Sequence, residues 1–183
     1  MPLMVNYNVN PDINVNFRVG VYAPTGSFEV GRLSNTGKNF WTVEPILGFM
    51  YFGKTNGIEA SVYVGSDFNS GNPATHYKSG AQFHVDGTLA QHFPLLGGIA
   101  GLGVSAYDYQ QVTGDTGAGA NLGAFEGKSV GLGPVASYIV KIAGHDTSWE
   151  AKWLHEVETE NRLQGNIIWL KACLLYTSPS PRD

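Results

Sequence analysis

Five histidines are the residues of this chain with the widest chemical range, since an imidazole can ligate a metal or carry a proton near neutral pH. His76, His84 and His92 recur every eight residues. On an extended strand that interval places them on one face but about 26 Å apart at each step, too far to share an ion. His145 stands beside a tight turn and His155 near the end of another segment, and neither has the Cys or dense carboxylate company of a metal site. The sequence therefore assigns no metal ligands and expects no cofactor. Glu150 and Lys152, two apart, read as an ion pair. To act as an acid with an electrostatic partner they would need a positioned nucleophile, which the sequence does not offer. No catalytic residue is assigned, and an enzyme is not expected. "GAGANLG" has the glycines of a phosphate loop but does not join a strand to a helix, and "TGDTG" offers calcium only the carboxylate of Asp115.

The polar residues become intelligible through the segments that carry them. "HYKSGAQFHVDGTLAQHF", residues 76–93, alternates His76, Lys78, Gln82, His84, Asp86 and Thr88 with Tyr77, Phe83, Val85, Leu89 and Phe93. A period of two means a β-strand with one polar and one apolar face. The pattern predicts a strand through the whole stretch, against an ordinary length of about 5 to 6 residues. The beat recurs in "INVNFRVGVY", "GIEASVYVG", "GGIAGLGVSAYDYQ", "SVGLGPVASYIV", "SWEAKWL" and "QGNIIWLKA". It is blurred in "NFWTVEPILGFMYFG", where Ile46 and Met50 intrude on the polar parity. Pro45 and Pro134 cannot donate to a ladder, so bulges are expected there. No stretch sustains a helical period.

Long connections such as "APTGSFEVGRLSNTGK" and "QVTGDTGAGANLG" alternate with tight ones such as "GKTNG" and "IAGHDT". That describes an all-β, up-and-down antiparallel meander of about eight strands, with a further remnant in "LMVNYNVN". Such a meander could close as a soluble ligand-binding barrel or as a transmembrane one. Span and composition favour the membrane. Residues 77–93, tilted near 45°, would project to roughly 37 Å, enough for a bilayer core of about 30 Å. The polar parity is mainly Asn, Gly, Ser, Thr, Gln and His, and the chain is only 14% charged against roughly 25% in soluble domains. Trp41, Tyr51, Tyr77, Phe93, Tyr138 and Trp149 fall near strand ends on the apolar parity, as interfacial girdles require. The expected lipid-facing residues are Val62, Val64, Phe83, Val85, Leu89, Leu102 and Leu132. The expected lumen-lining residues are Arg18, Glu59, Tyr63, Lys78, Gln82, His84, Asp86, Tyr107, Glu150 and Lys152.

A net charge of −4 without a basic cluster argues against a nucleic-acid partner. No apolar run reaches the roughly 20 residues of a transmembrane helix. "MPLMVNYNVN" lacks the basic and apolar regions of a secretory signal, so the chain is expected to be an N-terminally truncated piece whose missing strands would leave the barrel open. At the other end, "CLLYTSPSPRD" resembles translated read-through of a transposase-type sequencing adapter. The barrel domain is therefore placed at residues 1–172, with 173–183 a non-native tail that contains the only cysteine.

"VYAPTGSF", "NFWTVEPILGF", "SDFNSGNPATHYKSGAQFHVDG", "YDYQQVTGD" and "VGLGPVASY" follow one another as in the outer-membrane proteins called "putative MetA-pathway of phenol degradation", which this chain resembles over nearly all of residues 2–172. Phe68 to Gly80 is the most specific part. The resemblance implies a Gram-negative bacterial outer-membrane barrel, and partners limited to outer-membrane lipid and small aromatic or hydrophobic solutes. It also implies a channel for passive uptake associated with phenol degradation. The alternatives are an outer-membrane scaffold or adhesin with a plugged lumen, and a soluble ligand-binding β-barrel.

Overall fold

The computed structural model describes residues 2–175, so residues 176–183 of the adapter-like tail lie outside the described residues. Nine strands follow one another: β1 (Leu3–Asn10), β2 (Ile13–Tyr22), β3 (Thr42–Phe52), β4 (Ile58–Asn69), β5 (Gln82–Leu95), β6 (Gly98–Gln111), β7 (Lys128–Ile142), β8 (His145–Glu160) and β9 (Asn166–Leu175). Each pairs antiparallel with the next in a single sheet of order β1 to β9, the expected up-and-down meander. The sheet does not close, because β1 and β9 pair only with their sequence neighbours. The structure is thus an open up-and-down sheet and not the barrel expected from the sequence.

The connections alternate as their composition suggested. Residues 23–41, 70–81, 112–127 and 161–165 form one end; 11–12, 53–57, 96–97 and 143–144 form the other. At Leu96-Gly97 and Ala143-Gly144 both turn residues have positive φ. This is the geometry whose twist matches two-residue hairpins.

Burial is inverted relative to a water-soluble core. On the apolar parity, Leu89 and Leu102 are each 56% exposed; on the polar parity, Asn16 and Ser105 are 6% exposed. The sheet curls toward its polar face. One groove there is lined from Glu44 on β3 to Ile167 on β9, strands that a flat sheet would hold about 28 Å apart at its usual spacing.

Two expectations fail. Residues 76–81 are not strand: β5 starts at Gln82, and His76 has a φ of 53°, outside the extended region. The stretch is instead tied into the loops. Asn72 N donates to the Tyr77 carbonyl (2.8 Å), Asn72 Nδ2 donates to the Lys38 carbonyl (3.2 Å), and Asn39 Nδ2 donates to Asn72 Oδ1 (3.0 Å). Buried Asp115 accepts from the Tyr77 hydroxyl (2.5 Å), Gly80 N (3.1 Å) and Gln111 Nε2 (2.7 Å). Burial, then the hydrogen bond to this carboxylate, pushes the Tyr77 phenol above its ordinary value. Tyr77 is therefore a loop latch rather than a girdle residue, and Asp115 is occupied by protein donors. Exposed Lys78 pairs its backbone with Thr116, off the polar face where it was expected.

The expected proline bulges are also absent. Pro45 pairs with Val19 and Pro134 with Val104, and the ladders beyond them skip pairs without shifting register. The β7–β8 irregularity lies instead between Val130 and Gly131.

Candidate functional site

The polar face is built by parity and register together. Direct pairing sets Tyr63 beside Asp86, Asp86 beside Tyr107 and Tyr107 beside Gly131. A neighbouring row runs from Gly65 through His84 and Tyr109 to Ser129. Several rings in these rows lie over a glycine of the paired strand. A Cβ on Gly131 would come within 2.4 Å of the Tyr107 ring, and one on Gly65 within 2.4 Å of the His84 ring. Tyr63 over Gly48 and His92 over Gly101 repeat the arrangement. Glycine is required for so close an approach, and the rings are thereby laid along the wall.

The groove toward the long-connection end has a volume of about 430 Å³. Glu156 anchors one side of it, accepting hydrogen bonds from Tyr107 Oη (2.9 Å), Ser129 Oγ (2.6 Å) and Gly165 N. The Arg162 guanidinium lies 4.6 Å from the centre of the Tyr109 ring, and Arg18 lies 4.9 Å from that of Tyr63. On the opposite side Tyr22 donates to Glu44 Oε2 (2.6 Å), and Glu44 Oε1 comes to 3.2 Å from His84 Nε2. Asp67 completes this group. Acidic side chains outnumber basic ones among the groove residues, while aromatic faces and hydroxyls supply its weaker polar contacts.

Nearer the short turns, Glu59 and His92 pair at 2.7 Å and Phe52 stands edge-on to the His92 ring. Lys152 lies 3.5 Å from Glu150, in the spacing expected for that pair. A smaller cavity of about 260 Å³ gathers Glu59, Tyr63, Asp86, Glu150, Lys152 and Lys171.

The structure brings Arg18, Glu59, Tyr63, Gln82, His84, Asp86, Tyr107, Glu150 and Lys152 to the polar face; Lys78 stands apart. Val62, Val64, Phe83, Val85, Leu89, Leu102 and Leu132 share the other face. Sequence reasoning missed Glu44, Asp67, Tyr109, Ser129, Glu156 and Arg162. Glu44 and Asp67 carried the signal of polar parity, but only register shows that they meet His84. Glu156 keeps the polar parity of Glu150 and Lys152, but it lies beyond "SWEAKWL", the stretch read as strand.

Residues 2–172 match the family described as "Putative MetA-pathway of phenol degradation". No curated protein and no solved structure matches the chain.

Proposed function

This chain belongs to the family described as "Putative MetA-pathway of phenol degradation", and from that premise we propose that it is a bacterial outer-membrane β-barrel channel for passive uptake of small aromatic or hydrophobic compounds. The observation that carries the reading is the inverted burial of the two faces. Leu47, Leu89, Leu102, Leu132 and Trp153 are exposed on one side, while Asn16, Ser105, Gln111 and Ser129 are buried on the other. Such an apolar exterior is unfavourable in water and favourable against lipid.

The polar face supports the solute class. Arg18, Glu59, Asp86, Glu150 and Lys152 mix both signs, which does not make a single-sign selectivity ring. Tyr63 and Tyr107 present aromatic faces with hydroxyl ends, suited to weak stacking and hydrogen bonding with a phenol-like solute. Passage needs neither cofactor nor energy input. In liposomes containing the protein, phenol should enter faster than in protein-free liposomes and faster than a charged solute of similar size. Tyr63→Ala or Tyr107→Ala should alter that ratio. Entry equal to that of protein-free liposomes for every solute would reject the channel and favour a scaffold with a plugged lumen.

A further inference from the structure

Glu44, Asp67 and His84 stand on three adjacent strands, β3, β4 and β5, and one ligand atom from each lies within 4.8 Å of the others. The geometry points to a binding site here for a divalent first-row transition cation, held by one oxygen each of Glu44 and Asp67 and by Nε2 of His84. With metal–ligand bonds of about 2.1 Å, neighbouring ligand atoms stand roughly 3.0 to 3.4 Å apart. The separation between Glu44 Oε1 and His84 Nε2 is 3.2 Å.

A second observation concerns His84 itself. Its Nε2 is buried and has no hydrogen-bond partner: the approach to Glu44 is close enough for an ion pair, but its direction makes no hydrogen bond. A buried ring nitrogen left this way is uncommon, and a cation between the two residues satisfies it. Gly65 makes the placement possible, because any Cβ there would collide with the imidazole Cε1 and Nε2. The ring can therefore reach across β4 toward Glu44. Tyr22 holds the other Glu44 oxygen at 2.6 Å, the kind of outer support that orients a ligating carboxylate.

The three residues are half-buried and line the 430 Å³ groove, so an ion has a route in. One imidazole with two carboxylates suits zinc, nickel, cobalt or copper; calcium prefers six to eight oxygens and magnesium an octahedral, partly hydrated shell. Three protein ligands also leave a coordination position open.

The test uses the full chain folded in detergent and purified without a histidine tag, titrated with Zn²⁺ by calorimetry and with Co²⁺ by visible absorption. Wild type should bind one ion. His84→Gln and Glu44→Gln should each weaken binding by about tenfold or more, with Asp67→Asn as a third probe, while His76→Gln and His155→Gln should bind as wild type does. Far-UV circular dichroism identifies variants that keep the sheet, and affinities are compared among those. The site is refuted if folded wild type shows no saturable binding, or if the His84 and Glu44 variants bind as tightly as wild type. It is also refuted if the His76 or His155 variants lose binding equally. Solute flux is not read here, so failure of this test and failure of the channel reading are distinguishable.

Discussion

At the scale of single residues, the decisive property is which face a side chain occupies. Leu89 stands near the middle of β5 on the exposed apolar face, and Asp86, three positions earlier, stands on the polar face among Tyr63, Tyr107 and Lys152. If the apolar face meets lipid, an arginine at its midplane costs about 2 to 4 kcal/mol, whereas one facing a wet interior costs little. Leu89→Arg should therefore sharply reduce assembly into the membrane, read as loss of the heat-modifiable folded band, while Asp86→Arg should assemble nearly as wild type does. Equal tolerance at the two positions would show that the faces have been assigned the wrong environments.

At the scale of elements, the strands were legible and their limits were not. Period-two alternation located β2 and β4 to β9 because each strand has one polar and one apolar face. The same rule carried β5 too far. Residues 76–81 keep the alternation, yet a turn closed by Asn72 bends them and Asp115 binds Gly80 N and the Tyr77 hydroxyl, the latter being tertiary contacts that no local pattern reveals. The Glu44–Asp67–His84 group was hidden for a related reason, since meeting depends on the pairing of three strands. Removing the Asp115 carboxylate should leave Gly80 N without that acceptor, at a cost of roughly 1 to 3 kcal/mol, while Gln111 Nε2 keeps the Thr113 and Phe125 carbonyls. Asp115→Ala should thus make residues 70–81 and 112–127 more susceptible to limited proteolysis while the sheet's circular dichroism persists. The latch also has a pH dependence of fixed sign. The folded-state value of Tyr77 is raised, so its stabilisation is complete below the ordinary tyrosine value of 10.0 and is lost as pH climbs through the raised one. Proteolysis of these loops should increase across that alkaline window in wild type and change less in Tyr77→Phe. Identical pH profiles would remove Tyr77 from the latch.

At the scale of the whole molecule, the governing fact is an open sheet with an odd number of strands. β1 runs toward its two-residue turn at 11–12, and β9 starts from the connection at 161–165, so both run from the long-connection end to the short-turn end. Were they to meet, they would pair parallel, an arrangement slightly weaker per residue than the antiparallel ladders elsewhere in the sheet. Backbone groups left unpaired at an edge cost several kcal/mol each in hydrocarbon. The edges should therefore be the least protected part of the fold, a difference that side-chain burial reinforces, since every residue of β1 is exposed. β6, by contrast, is paired along its length on both sides. Hydrogen exchange followed by mass spectrometry should show β1 and β9 exchanging first and β5 to β7 last, in a gradient from the edges to the centre. Protection of Leu3–Asn10 equal to that of Gly98–Gln111 would mean that β1 has found a partner strand, either β9 of the same chain or a strand of a second copy. Repeating the exchange over a range of protein concentrations separates these, because only pairing between copies weakens on dilution.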